Sequence, residues 1–124
     1  MDRFSQNVFK WAGVYGIVVL LPQYFTLEKV GIDFPPPITH PEFYYGFTGV
    51  ALAWQVAFLI IARDPIKYRL MMIPGIFEKL AFSVPTFILF AQGQAPATLL
   101  VFATIDLFLA LMFWVSFKRL KSIS

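Results

Sequence analysis

Four long apolar segments, each about as long as a helix needs to cross a lipid bilayer, take up most of this 124-residue chain. A helix crosses a hydrocarbon core of ~30 Å with ~20 predominantly apolar residues. Hydrophobic residues make up 59% of the chain and charged residues only 14%, which is more apolar surface than the small core of a soluble domain of this length buries. The sequence therefore predicts an all-α integral membrane protein, a single domain folded as an antiparallel bundle of four transmembrane helices. The expected spans cover residues of about 8–24, 43–62, 70–91 and 97–117.

The first span is expected to stay in the protein as a helix, because Leu21 and Pro22 follow it and a signal peptide would end in small residues. Within it, Gly13 and Gly16 predict a close approach by a neighbouring helix, since glycine has no side chain to hold two helices apart. The span thus has the features of a packed bundle helix.

The connection between the first and second spans, residues 25–42, is expected to be a long outer loop. It contains the run Pro35–Pro37, and proline fixes φ and cannot donate a backbone hydrogen bond, so this part is expected to be stiff and extended. Thr39 and Glu42 have the spacing of a capping box, which predicts that the second membrane helix begins there.

Basic residues are distributed unequally between the two ends of the spans. Only Lys29 falls at the outer end, whereas the other end carries Arg3, Lys10, Arg63, Lys67, Arg69, Lys118, Arg119 and Lys121. Cytoplasmic loops of membrane proteins are enriched in Lys and Arg, so both termini are expected in the cytoplasm. The net charge of +3 therefore indicates topology, and no nucleic-acid partner is expected.

Composition and motifs exclude several kinds of chemistry. The chain has no cysteine, which excludes disulfides, thiolate nucleophiles, Cys-ligated zinc and iron–sulfur clusters. No nucleophile elbow, zinc-protease, phosphate-loop or dinucleotide motif occurs. The one histidine, His40, lies near Glu42 in the outer loop, too few groups for a metal site, so a surface or capping role is favoured there and no metal or cofactor is expected.

Charged residues inside the third and fourth spans form the main candidate site. Charge at membrane depth is costly and rare, so it is a candidate for function. With a rise of ~1.5 Å per residue, Glu78 and Lys79 lie roughly 12 to 14 Å from the cytoplasmic end and Asp106 lies roughly 16 Å from it. Gln55 and Tyr15 lie about 10 Å from the same end, so all four spans can contribute to one polar layer. Lys79 is expected to pair with Asp106.

Two interpretations of this layer remain open. The Lys79–Asp106 pair, with Glu78 bonded to Gln55 or Tyr15, can be a structural connection between helices, as polar groups often are in membrane bundles. Alternatively, two carboxylates facing one ammonium leave a carboxyl without a full counter-ion, as a proton or ligand site would. Adjacent helix residues point about 100° apart, so Glu78 and Lys79 are not expected to face one partner equally.

Three short motifs carry a resemblance to known proteins: Thr39–Phe47 at the start of span two, Ala62–Pro65 at its end, and Glu78–Leu80 in span three. With these motifs the chain resembles a group of small bacterial four-span membrane proteins, and in overall plan it is similar to the DoxX-like membrane proteins. The resemblance implies a multi-pass location in the bacterial inner membrane and accessory roles in membrane redox complexes. It transfers no functional residue.

The expected function is that of a non-catalytic accessory or assembly subunit, because no recognisable catalytic motif occurs in a chain of this size. Its expected partners are membrane lipids and either other membrane subunits or further copies of itself. An alternative is binding or transport of a small apolar molecule or a proton through the polar layer. A third possibility is a membrane enzyme that uses the paired buried acids.

Overall fold

The structure is a computed structural model that describes residues 2–33, 35 and 37–121, and every regular element in these residues is helical. Two short 3-10 turns cover Leu21–Phe25 and Arg69–Met71. The helices are α1 (Arg3–Leu20), α2 (Leu27–Asp33), α3 (Pro41–Arg63), α4 (Met72–Ala91) and α5 (Thr98–Lys121). With the adjoining turns, α1, α3, α4 and α5 are each long and apolar enough to cross a membrane. The all-helical class with four candidate spans is thus confirmed.

The 25–42 connection contains more structure than the sequence predicted. α2 occupies Leu27–Asp33, and the Val30 amide donates to the Thr26 carbonyl at 2.9 Å, which closes its first turn. The prediction of a long outer loop was therefore wrong for the first half of this connection, where α2 begins with the helix-favouring residues Leu27, Glu28 and Lys29. Pro36 of the proline run and Phe34 just before the run lie outside the described residues.

The predicted capping box at the start of α3 is also wrong. His40 occupies the N-cap position and makes no side-chain capping bond, and Pro41 is the first helical residue. The N-cap thus lies one residue after the expected one, Thr39, so Glu42 is the second helical residue and lies too early in the first turn to bond back to the cap. Instead, Glu42 Oε1 lies 3.1 Å from His40 Nδ1 in an exposed contact.

α1 and α3 pack at very short range, as the two glycines predicted. A Cβ atom at Gly13 would lie 2.9 Å from the Gln55 carbonyl oxygen, and one at Gly16 would overlap the Gln55 side chain. Real Cβ atoms do not approach other atoms so closely, so only glycine fits these two positions without movement of α3. The contact places Gln55 directly against α1.

α1 packs mainly on α3, and α4 mainly on α5, with fewer contacts between the two pairs. The pairs meet in an aromatic cluster of three fully buried rings, Phe9, Phe58 and Phe113. The Phe9 and Phe113 rings stack with centroids 4.1 Å apart, and Phe58 meets Phe113 edge-on at 4.9 Å. This aromatic cluster lies toward the end where α1 and α4 begin and α3 and α5 end, hereafter the basic end. The opposite end, with α2, is the loop end.

An ion pair joins the first and last described helices at the basic end. Arg119 donates from Nη2 to Asp2 Oδ1 at 3.1 Å and from Nε to Oδ2 at 3.4 Å, and Ser5 Oγ donates to Oδ2 at 2.7 Å. The hydrogen bond from Arg119 lowers the pKa of Asp2 below its ordinary value of 3.8, although partial burial acts in the other direction. The ionised form of Asp2 is therefore favoured in the folded protein.

Replacing Asp2 with asparagine is expected to reduce stability at neutral pH by about 0.2–1 kcal/mol, the usual range for a pair with one exposed partner. Because folding lowers the pKa of Asp2, this contribution is fully present above 3.8 and is lost as the pH falls through the folded-state value. Unfolding midpoints of the wild type and Asp2→Asn in detergent, compared over pH, are therefore expected to converge under acidic conditions. A difference that persists or grows in acid would contradict this role.

Candidate functional site

Lys79 is the centre of the polar layer. Its side chain is only 3% exposed, and its Nζ atom lies 3.6 Å from Glu78 Oε2 and 3.7 Å from Asp106 Oδ1. The predicted pairing of Lys79 with Asp106 is therefore present. Glu78 also reaches the same ammonium, because its flexible side chain overcomes the angle between adjacent helix positions.

The Lys79 ammonium also faces an aromatic ring. Nζ lies 5.2 Å from the centroid of Phe58, which belongs to the aromatic cluster on the basic side of the layer. A ring face attracts a cation through its quadrupole, and more strongly where water is excluded. Lys79 is thus held between two carboxylates and an aromatic surface.

Gln55 connects α3 to this layer. Its Nε2 atom donates to the Ala51 carbonyl at 2.8 Å, and this hydrogen bond assigns the orientation of the amide. The same Nε2 atom lies 3.5 Å from Glu78 Oε1. Its Oε1 is buried against Gly16 and has no hydrogen-bond donor among the described residues. The amide therefore joins three helices at the depth of the ion pairs.

A cavity of about 1060 Å³ reaches the polar layer from the loop-end half of the protein. Tyr15, Gln55, Glu78, Lys79 and Asp106, all five residues of the predicted layer, line it. Its remaining lining is mostly apolar and includes Val19, Leu20, Val30, Phe47, Val50, Trp54, Phe77, Phe82, Leu99 and Phe102. The site is an apolar cavity with charged and polar groups grouped at one end, which is the usual composition of a small-molecule site.

Two polar groups at the cavity surface, the Asp106 carboxylate and the Tyr15 hydroxyl, can make further contacts with a ligand. The carboxylate of Asp106 is 15% exposed, and its partner among the described residues is the Lys79 ammonium at 3.7 Å, which it shares with Glu78. The hydroxyl of Tyr15 has no hydrogen-bond partner in the described part of the chain. A buried or half-buried polar group without a partner costs free energy, which a ligand or water can recover.

The outer-loop candidates His40 and Glu42 do not belong to this site. Both side chains are about two-thirds exposed, they contact one another, and neither lines the cavity. Among the described residues, no group of three or more His, Asp or Glu side chains is placed to hold a metal ion.

Several lining residues were not singled out from the sequence. Phe47, Val50 and Trp54 on α3 and Phe77 and Ala81 on α4 recur at the three- and four-residue spacing of one helix face, a signal that was available. That signal has little discriminating power in a membrane helix, because its lipid-facing positions are equally apolar.

The arrangement can hold a molecule with an apolar body and one polar end, and Asp106 and Tyr15 are the groups best placed to bind that end. Their helices, α5 and α1, belong to different packing pairs, so the site is complete only when the two pairs meet. Comparison of the chain with protein-family models, with curated proteins and with solved structures finds no match, so the DoxX-like resemblance stays a prediction and the function is inferred from the cavity itself.

Proposed function

We propose that the protein crosses the bacterial inner membrane as an antiparallel four-helix bundle and binds a small, mainly apolar molecule in its cavity. The order in which residues of α4 meet residues of α5 supports the antiparallel arrangement. Arg69, just before α4, donates to the Phe117 carbonyl near the end of α5 at 2.9 Å, whereas Lys79 meets Asp106 further along. The excess of Lys and Arg at the basic end supports a cytoplasmic position for that end and for both termini.

The observation that carries the binding proposal is the position of the charged groups at the end of an apolar cavity. A bundle that used these charges only to join its helices would be expected to pack apolar side chains around them, since buried polar groups are costly without partners. Instead, Asp106 and Tyr15 border a space of about 1060 Å³, at the upper end of the range for ligand pockets.

The charges define the polar end of the ligand. Glu78 and Asp106 share the single ammonium of Lys79 at nearly equal distances, 3.6 and 3.7 Å, so the layer has one formal negative charge in excess, and Asp106 faces the cavity. A carboxylate only accepts hydrogen bonds, so the complementary group is a donor, and a cationic donor would also balance the charge. The proposed ligand is therefore an apolar molecule that ends in an ammonium or another strong hydrogen-bond donor.

Binding can be tested with two probes of equal chain length, decylamine and decanoic acid, by native mass spectrometry of the purified protein. The amine is expected to stay bound in preference to the acid. Asp106→Asn removes the excess charge and leaves Lys79 paired with Glu78, so it is expected to fold and to lose most of this preference. Glu42→Gln, which removes an exposed carboxylate outside the cavity, is the matched control and is expected to bind as the wild type does.

Equal retention of both probes, or an amine preference that survives Asp106→Asn, would contradict the assignment. Loss of folding in Asp106→Asn would favour a structural role for the layer. The accessory-subunit function stays a prediction, which co-purification of a defined membrane partner after mild extraction tests. Transport of the bound molecule or of a proton, and catalysis by the paired acids, likewise stay predictions.

A further inference from the structure

We infer that the cavity opens sideways between α3 and α4 toward the lipid, so that its ligand is a membrane-dissolved amphiphile that enters from the hydrocarbon phase. This inference rests on the proposed function, because it specifies the class and the route of the ligand in the same cavity. It follows from the exposure of the lining residues on each helix, from the closure of the cavity at the basic and loop ends, and from the chemistry of the opening.

The lining residues that are strongly exposed all lie on α3 and α4. They are Gly46, Phe47 and Val50 on α3 and Phe77 and Ala81 on α4. Phe47 is 55%, Val50 64% and Phe77 68% exposed. The lining residues of α1 and α5 are all buried or half-buried, so the cavity is closed on that side and open between α3 and α4.

Toward the basic end, the described residues next to the polar layer are tightly packed. Directly below the polar layer, Phe58 and Phe113 pack on Gly75, where a Cβ would lie 3.1 Å from the Phe58 ring. The rings of the aromatic cluster are completely buried. A ligand therefore cannot reach Asp106 from this end without displacing the best-packed part of the protein.

The loop end is covered by the segment that connects α1 to α3. Gln23 and Val30 from this segment line the cavity, and the Tyr44 hydroxyl donates to the Gln23 carbonyl at 2.8 Å. The Tyr24 and Tyr45 rings stack with centroids 5.9 Å apart, which joins the same segment to α3 a second time. These contacts place protein between the cavity and the solvent at this end.

The chemistry of the opening matches lipid. Its rim consists of aromatic, aliphatic and small residues without a charge, and it lies within the membrane-crossing segments Pro41–Arg63 and Arg69–Ala91. The rim extends from Phe77, next to Glu78 of the polar layer, to Gly46, which precedes Gln55 by nine residues and therefore lies about 14 Å from the layer along α3. A ligand with its donor group at Asp106 and an apolar chain of about this length would reach the bilayer.

The route can be tested without knowing the ligand, by quenching the fluorescence of Trp54 on the cavity wall. Trp11→Phe and Trp114→Phe together leave Trp54 as the single tryptophan, since the chain has three. The protein is reconstituted in vesicles of phosphatidylcholine with or without brominated acyl chains, and iodide is added as the aqueous quencher. Brominated chains are expected to remove most of the Trp54 emission, and iodide is expected to remove little.

Two variants distinguish entry through the opening from general contact with lipid. Gly46→Phe, combined with Ala81→Phe, narrows the opening from both sides and is expected to restore most of the emission in brominated vesicles. A Cβ at Gly46 meets nothing within 4 Å, so Gly46→Phe alone serves as a second variant that the fold should accept. Ala53→Phe, at an exposed position of α3 outside the cavity, is the matched control and is expected to leave the quenching unchanged.

Strong quenching by iodide, or equal quenching in Gly46→Phe and Ala53→Phe, would overturn the lateral route. The quenching test and the amine-binding test can fail independently of one another. Amine binding without quenching by brominated chains would keep the binding site and reject the lipid route. Quenching that depends on Gly46 without any amine preference would keep the opening and reject Asp106 as the ligand's partner.

Discussion

Lys79→Ala is expected to destabilise the protein by about 3–5 kcal/mol, the usual cost of removing one partner from a buried ion pair. The Lys79 side chain is 3% exposed and lies within 3.7 Å of both Glu78 and Asp106, so its loss leaves two carboxylates close together without a counter-ion. Its contact with the Phe58 ring is lost as well. The midpoint of unfolding in mixed detergent micelles would measure the effect, together with the yield of folded protein.

A charge-neutral variant shows whether the loss arises from the unpaired carboxylates. Glu78→Gln, Lys79→Met and Asp106→Asn combined remove all three charges while preserving the approximate volumes, and replacing a complete buried ion pair is often close to neutral. We expect this triple variant to recover most of the stability lost in Lys79→Ala. Wild-type stability of Lys79→Ala would show that the carboxylates do not need the ammonium and would contradict the layer as described.

Phe113→Ala is expected to cost about 3–5 kcal/mol, the range for truncating a buried phenylalanine. The Phe113 ring is fully buried and touches both other rings of the aromatic cluster, which is where the two helix pairs meet. Lipid gives separated helices little hydrophobic reason to associate, so lost packing at this contact is not replaced elsewhere. The unfolding titration in mixed micelles described for Lys79→Ala also measures the loss of stability in Phe113→Ala.

Phe108→Ala is the matched control on the same helix. The Phe108 side chain is 57% exposed and does not line the cavity, so its truncation is expected to change stability by no more than about 0.5 kcal/mol. Similar losses in Phe108→Ala and Phe113→Ala would show that the aromatic cluster does not hold the two pairs together. Because Phe58 also contacts Lys79, Phe113→Ala is expected to weaken probe binding in the cavity as a secondary effect.

The polar layer could be anticipated because depth along a helix is a simple function of residue number. A constant rise per residue placed Lys79 and Asp106 at one level once α4 and α5 were expected to run in opposite directions. The two ion pairs of Lys79 agree with that estimate. Gly13 and Gly16 were similarly informative, since the absence of a side chain has few other uses in the middle of an apolar helix.

The residue at which α3 begins and the presence of α2 were harder to predict than the polar layer. Thr39 and Glu42 have the spacing of a capping box, but the ring of Pro41 favours the first helical position and moves the start of α3 by one residue. α2 was missed because seven residues make only two turns, which intrinsic preference alone stabilises weakly. Contacts of its neighbours with α3, such as Tyr44 with Gln23, hold this region in place.

The helical class, the four candidate spans and the depth of the charged residues follow from the order of residues along the chain, because length, hydropathy and rise per residue act along each helix separately. Contacts between the helices set the rotation of each helix, the meeting of the two pairs at the aromatic cluster, and the cavity between the pairs on the other side of the polar layer. The physical reason is that a membrane helix is apolar on both its lipid-facing and its protein-facing sides, so periodicity does not indicate which side packs. Rotation is set by contacts between helices, above all by Gln55 against Gly16 and Lys79 between its two carboxylates.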